Sequence, residues 1–364
     1  MATTNSLPST LMNFEPQEFS PIRWNNGALE LLDQRLLPHQ IHWISYQDAP
    51  SVAHAITDMV VRGAPAIGIT AAYGVALSAM AHRGTLSSED LTPIMADITL
   101  LSNSRPTAIN LMWALDRMKL CLLKAVAKHT AIDAIVTALI EEAISIHQQD
   151  IHFCHSIGDH GADLLSPNST VYTHCNAGAL ATGGHGTALG VIRSAFTQDK
   201  ISQVFAGETR PWLQGARLTS WELQQAGIPV RLVTEGAAGH TLKHNSVDWL
   251  IVGADRIAAD GSVANKVGTY NLAILARHHN CKVMVAAPSS TFDLTIHQGD
   301  DIPIEQRADQ EVTHYQDIPI APEGVSALNP SFDVTPADLI DAIVTERGVI
   351  ERPNREKIAA HFDS

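Results

Sequence analysis

Apolar positions fall into two regimes along the chain: helical spacing from Ala49 to about His155, then short β-branched runs from about residue 165 onward. Ahead of both, Ile22 to Ile44 alternates short apolar runs with Asn26-Gly27 and Leu37-Pro38, the pattern of a small β-hairpin arrangement. Asp48-Ala49-Pro50 predicts a helix start, with Asp48 as N-cap and Val52, Ile56, Met59 and Val60 along one face. Arg62-Gly63-Ala64-Pro65 interrupts that helix and opens a second one. The second is apolar nearly all round (Ala66, Ile67, Ile69, Ala72, Tyr73, Val75, Ala76, Met80), which predicts burial on every side. Ser104-Arg105-Pro106-Thr107 and Glu208-Thr209-Arg210-Pro211 repeat the same grammar, each opening a helix. An arginine beside a helix N-terminus is well placed to meet an anion. Ile132 to His155 predicts a further long helix.

Five strand-like runs follow: Val171–His174, Gln203–Ala206, Val230–Thr234, Trp249–Val252 and Lys282–Ala287. Helix-permissive segments separate them, and this alternation predicts a parallel, doubly wound sheet. Such sheets collect ligands outside the C-terminal strand ends, near the point where the strand order reverses. The residues after each run are polar or glycine: Cys175-Asn176-Ala177-Gly178, Gly207-Glu208-Thr209-Arg210, Glu235-Gly236, Gly253-Ala254-Asp255-Arg256 and Pro288-Ser289-Ser290. Residues 295–335, rich in Pro, Asp and Gln, read as an extended surface segment, and Thr335-Pro336-Ala337-Asp338 reads as a last helix start ahead of Leu339, Ile340 and Ile343. The predicted organisation is α/β: a flexible lead-in over 1–20, a smaller, mainly helical N-terminal domain with a short β-element over 21–150, and a Rossmann-like catalytic domain over 151–364.

At 364 residues, 45% hydrophobic and 17% charged, the chain has length enough for two packed domains. Its formal charge is 24 − 38 = −14, which argues against nucleic acid or an anionic membrane as the main partner. No apolar run approaches the roughly 20 residues of a membrane span. The N-terminus has neither a basic start nor an apolar stretch of the secretory type. Four scattered cysteines suit free thiols in a reducing cytoplasm, the expected location. His152-Phe153-Cys154-His155 has no second cluster at ligand spacing, so no metal is expected.

Within this frame Cys175 and Asp255 stand out, since both follow strands at the expected ligand edge. Apolar neighbours around Asp255 (Ile251, Val252, Ile257) predict a carboxyl whose pKa is raised by desolvation, fit to act as a general acid. Arg256 would oppose that shift if it pointed inward. Cys175, in a polar loop before a helix, is expected to have thiolate character. Asn265 and Lys266 stand just before the helix of Leu272, Ala273, Leu275 and Ala276, where a lysine can supply charge to a phosphate or an oxyanion. The string Cys175 to Gly190 carries five glycines, a loop whose amides can approach an anion. No GxGxxG follows the first strand, which argues against a nicotinamide enzyme.

Five ordered motifs, Arg62-Gly63-Ala64-Pro65-Ala66-Ile67-Gly68, Thr173-His174-Cys175-Asn176, the run from Glu208-Thr209-Arg210-Pro211 through Gln214-Gly215-Ala216-Arg217-Leu218-Thr219, Gly253-Ala254-Asp255-Arg256 and Asn265-Lys266-Val267-Gly268-Thr269-Tyr270, closely resemble the methylthioribose-1-phosphate isomerases of the initiation-factor-2B-like family. The resemblance runs from about Trp24 to about Arg347. It implies an aldose–ketose isomerisation of a phosphorylated sugar in methionine salvage, without a cofactor, in a homodimer. It also implies Asp255 as proton donor, Cys175 as second catalytic group, and Arg62, Gly63, Ala64, Arg105, Gln214, Asn265 and Lys266 as substrate-binding residues. Cys175 would be a base if hydrogen moves as a proton, or orient the substrate if it moves as a hydride. Two relatives share the fold: a ribose-1,5-bisphosphate isomerase, similar in the catalytic pair, and non-catalytic regulatory subunits of a translation factor. The residues around 295–320 match no motif.

Overall fold

The computed structural model describes residues 19–84, 90–106, 108–128 and 131–363; most of the lead-in, and Thr107, lie outside them. The chain opens with a three-stranded antiparallel sheet of β1 (Ile22–Asn25), β2 (Ala28–Leu32) and β3 (Trp43–Tyr46). Asn26 and Gly27 both have positive φ, 49° and 79°, which makes the β1–β2 link the turn that an Asn-Gly pair favours. Next comes α1 (Ala49–Thr57), where Asp48 accepts from the Ser51 amide at 2.7 Å as N-cap. This helix ends before Met59, whose φ of 58° breaks the expected face.

The 18-residue α2 (Ala64–Ala81) is long and apolar enough to cross a membrane, but 83% of it is buried. It is instead the axis around which α1, α3 (Thr92–Asn103), α4 (Ile109–Lys128) and α5 (Ile132–Ala162) pack one apolar core. Gly68 and Gly74 keep two of its faces flat enough for α4 and α3 to approach. The helix expected to open at Pro106 begins only at Ile109. The 31-residue α5 passes without a break through residues 150 and 151, where the sequence placed the domain boundary. Its first half packs in the helical core, while Ile157 and Ala162 pack against the sheet.

That sheet has seven strands: β4 (Ser169–Thr173), β5 (Ile201–Gly207), β6 (Val230–Val233), β7 (Trp249–Val252), β10 (Lys282–Ala286), β15 (Ala342–Thr345) and β16 (Gly348–Glu351). Their spatial order is β16-β15-β10-β7-β4-β5-β6, parallel except for β16. Starting from β4, the chain steps outward through β5 and β6, then returns to the other flank for β7, β10 and β15. The order reverses between β4 and β7, which opens a crevice beyond their C-terminal ends.

Alternation along the strands sorts the two faces. Trp249, Ile251, Met284 and Ala286 pack with α5, α6 (Ala188–Thr197) and α7 (Ser220–Gln225). Leu250, Val252, Val283 and Val285 pack with α8 (Ala238–His244), α9 (Thr269–His278) and α11 (Arg355–Asp363). A four-stranded sheet ordered β11-β8-β9-β14 stands beside the crevice: β8 (Arg256–Ala258), β9 (Val263–Lys266), β11 (Phe292–Asp293) and β14 (Phe332–Thr335). Between its last two strands the chain forms α10 (Gln310–Thr313) and a hairpin of β12 (His314–Tyr315) and β13 (Ile318–Pro319).

Two further expectations need correction. The apolar run after Thr335 is a single 3₁₀ turn (Ala337–Leu339) leading into β15, not a helix. Ile343 and Val344 are buried on opposite faces of that strand, and a short apolar run buried on both faces has no period that separates it from a helix. After Pro211 the chain first turns, and helix begins at Gly215 with one π turn (Gly215–Thr219) running into α7.

Candidate active site

At the end of β4 the backbone is held in an uncommon conformation. Cys175 has φ of 60°, its N–H donates to Thr209 Oγ1 at 2.9 Å, and its carbonyl accepts from Thr219 Oγ1 at 2.5 Å. A non-glycine residue in the left-handed region costs energy and persists where its surroundings enforce it. Here two threonines from the segment after β5 do so, turning the thiol toward the crevice. His174, just before it, is buried, and its Nε2–H donates to the Val267 carbonyl at 2.9 Å. Burial, with Lys266 nearby, pushes its pKa down to about 4, so it is neutral at neutral pH.

Asn176 links this turn to the helical domain. Arg62 donates to both its side-chain oxygen and its carbonyl, each at 2.6 Å, a two-pronged contact that fixes the guanidinium plane. Asn176 Nδ2 in turn donates to Glu222 Oε1 at 2.9 Å, and buried Glu222 is paired with Arg193 at 3.0 Å. Arg62 therefore reaches the site from between α1 and α2. Gly63, the α2 N-cap at φ of 98°, lets it do so: a Cβ there would stand 2.5 Å from the Ala181 Cα. Gly63→Ala is expected to cost about 1–3 kcal/mol in backbone strain and a comparable amount in overlap, read as a lower Tm together with weaker substrate binding. An unchanged Tm would contradict that packing.

Asp255 follows β7, with its amide bonded to the Ala264 carbonyl at 2.9 Å. Burial pushes its carboxyl up, against the opposing pull of Lys266, Arg62 and Arg105. Arg256 turns away and pairs with Asp293 at 3.1 Å, so it does not cancel the shift. Lys266, on β9, lies 4.9 Å from the Phe332 ring centroid. Burial pulls its ammonium down, while Cys175 and Asp255 favour its charge. Asn265 Nδ2 donates to Thr269 Oγ1 at 3.1 Å, and Asp333 accepts from the Gly268 and Tyr270 amides at the start of α9.

The Cys175 thiol is also pushed up by burial, which outweighs Arg62 and Lys266, so the expected thiolate character is corrected. The reason is local: α6 begins only at Ala188, well past the loop, and its N-terminus is not behind the sulfur. Arg105 is half-buried, and its desolvation lowers its pKa; its Nε, like Gln214 Oε1, has no hydrogen-bond partner among the described residues. Buried polar groups normally have partners, so both are positioned for a polar ligand.

One cavity is lined by all nine residues singled out from the sequence: Arg62, Gly63, Ala64, Arg105, Cys175, Gln214, Asp255, Asn265 and Lys266. Of the three arginines beside prolines, Arg62 and Arg105 meet there. Arg210 does not: it donates to the carbonyls of Glu311, Val312 and His314 and so holds α10. This contact belongs to a wall that the sequence reading missed. Ile302, Pro303, Arg307, Glu311, Asn329 and Phe332, all from the presumed surface segment, line the cavity's outer side. Arg307 is clamped there by Glu305 at 3.1 Å and Glu311 at 2.6 Å. Its isolated short elements left no period to read.

The chain matches the initiation factor 2 subunit family over residues 60–352 and belongs to that family. Its relatives there include isomerases. It is 53% identical over 94% of its length to the methylthioribose-1-phosphate isomerase of Azotobacter vinelandii, of which 95% is covered. A comparable relative from Chloroflexus aurantiacus is 53% identical over 92% of this chain and 96% of its own. The crystal structure of 5-methylthioribose 1-phosphate isomerase from Pyrococcus horikoshii superposes with a TM-score of 0.90 at 38% identity, covering 98% of this chain and 99% of that one. A structure described as translation initiation factor eIF-2B, subunit delta, from A. fulgidus superposes with a TM-score of 0.82 at 39% identity, covering 94% and 100%.

Proposed function

We propose that this chain converts 5-methylthioribose 1-phosphate to 5-methylthioribulose 1-phosphate, an aldose–ketose isomerisation in methionine salvage. The observation that carries the reading is the convergence of a half-buried carboxyl, a half-buried thiol and three cations, Arg62, Arg105 and Lys266, in one cavity at the reversal point of the sheet. The cations suit a phosphate, and the paired contact of Asn176 with Arg62 leaves that guanidinium oriented before substrate arrives. Apolar surface from Met59, Trp212, Ile302 and Pro303 on the same cavity suits a methylthio group better than a second phosphate. A purely binding subunit needs no carboxyl with a raised pKa beside a thiol, so the catalytic reading is favoured over the translation-factor one.

Phosphate on C1 masks the aldehyde, so the ring must open with the phosphate in place. The Asp255 carboxyl gives its proton to the ring oxygen as the C1–O bond breaks, leaving positive charge at C1. Hydrogen then moves with its electron pair from C2 to C1, and the C2 hydroxyl returns a proton to Asp255 as the ketone forms. The raised pKa of Cys175 supports this hydride route, because a protonated thiol is a poor base and serves instead to orient C1 and C2. The test is substrate carrying deuterium at C2, run beside ribose 1,5-bisphosphate. We expect label fully retained at C1 of the ketose, and faster turnover of the methylthio substrate. Label washed out into solvent would restore the base role of Cys175, and preference for the bisphosphate would overturn the substrate. The same reading takes the working unit as a homodimer; light scattering at the mass of two chains would support that, and at one chain would contradict it.

A further inference from the structure

Gly183 lies in the glycine-rich loop between β4 and α6, and both of its backbone polar groups are taken by one face of α5. Its N–H donates to Asp150 Oδ2 at 2.6 Å, and its carbonyl accepts from His147 Nε2 at 3.0 Å. His147 and Asp150 are three residues apart on the helix and so share that face. The Tyr73 hydroxyl of α2 lies 3.1 Å from His147 Nδ1 and donates to it, so both ring nitrogens of a neutral imidazole are used. Cys154 Sγ adds a longer contact to the same Asp150 oxygen at 3.8 Å. There is no room for a side chain at the gripped residue: a Cβ on Gly183 would meet His147 Cδ2 at 2.7 Å and Asp150 Oδ2 at 3.0 Å.

Neither His147 nor Asp150 lines the catalytic cavity, but the residues just before Gly183, Ala181 and Thr182, do. Ala181 is also the surface on which Gly63 is packed, next to Arg62. Thr182 ties the loop to itself, donating to the Gly184 carbonyl at 2.9 Å. At the loop's other end Glu222 accepts from the amides of Ala179 at 2.8 Å and Leu180 at 3.2 Å, and holds Asn176 as well. The loop is thus suspended between two carboxyl groups on different helices.

We propose that Asp150, acting with His147, is a positioning residue for the isomerase site: it fixes the Gly183 peptide and through it sets the Ala181–Thr182 wall against Arg62 and Gly63. The inference rests on the isomerase reading, in which Arg62 holds substrate. A carboxyl is costly to bury, and what it supplies here is the acceptor that the Gly183 N–H of the loop would otherwise lack. Burial pushes this carboxyl up to about 6, with the Gly183 amide and Cys154 opposing.

The experiment compares Asp150→Ala and Asp150→Asn in the full chain, after wild type has been shown to turn over methylthioribose 1-phosphate. Asn keeps an acceptor for the Gly183 N–H; Ala does not. Displacement of a catalytic wall by about 1 Å can cost roughly 10²-fold, so Asp150→Ala is expected to lower kcat by about 10–100-fold while Asp150→Asn stays within a few-fold of wild type. Amide exchange across residues 178–186 should quicken in Asp150→Ala, with β4 unchanged. Wild-type kcat and KM in Asp150→Ala, or an equal loss in both variants, overturns the proposal. Should Asp150→Ala fail to fold, His147→Phe removes the donor to the Gly183 carbonyl, keeps a ring of similar volume and carries the same expectation. If wild type itself shows no turnover, the isomerase reading fails, and the exchange comparison still decides whether Asp150 holds the loop.

Discussion

Replacing Asp255 by asparagine is expected to lower kcat by about 10²–10⁴-fold, the range over which a positioned general acid acts. Asn fits the same space and has no proton to give to the ring oxygen. The fold should survive, since the Asp255 amide stays bonded to the Ala264 carbonyl and Arg256 remains paired with Asp293. Wild-type pH dependence follows from the raised carboxyl. At low pH the acid is protonated and competent; as pH rises through its folded pKa the proton is lost, and kcat falls on that alkaline side. Steady-state rates across pH check this. A rate that rises with pH through the same range, or an Asp255→Asn variant of near-wild-type kcat, would remove Asp255 from the acid role.

Cys175→Ser is expected to lower kcat by roughly 10²-fold, the cost of losing precise orientation at the reacting carbons, with little change in Tm. Serine keeps the backbone contacts to Thr209 and Thr219 that hold this turn. Because burial raises the thiol above its ordinary pKa, little thiolate is present at neutral pH. Alkylation of Cys175 by iodoacetamide should therefore be slower than for an ordinary free thiol and should quicken as pH rises. Mass spectrometry of the modified peptide reads this directly. Rapid alkylation at neutral pH would mean that Arg62 and Lys266 outweigh burial, and would return Cys175 to the role of base.

Much of the framework is legible from residue patterns because the physics behind it is local. Asn26-Gly27, Asp48 and the all-round apolar α2 each carry their own conformational signal, and the β-branched runs sort into parallel strands whose ends must share one edge. That shared edge is why Cys175 and Asp255 could be paired from their positions alone. What was not legible depends on contacts distant in sequence. The thiol's protonation is set by burial, which outweighs the opposing pull of Arg62 and Lys266, and not by a nearby helix end. Arg210 looks from its Pro neighbour like a ligand-binding arginine, and only the fold shows its guanidinium occupied by three carbonyls of the α10 region. The outer wall from Ile302 to Phe332 is made of turns, the single-turn α10 and short strands, too short for any periodicity. Asn176 and Glu222, which hold Arg62 and the glycine loop, are single polar residues whose importance appears only once their partners are seen.

The most direct measurement of the central claim is ¹³C NMR of methylthioribose 1-phosphate labelled at C2, incubated with the wild-type chain and no added cofactor. The C2 carbinol resonance is expected to disappear as a ketone resonance grows, while the same experiment with Asp255→Asn stays nearly static. A substrate spectrum unchanged by folded wild-type protein would contradict that claim.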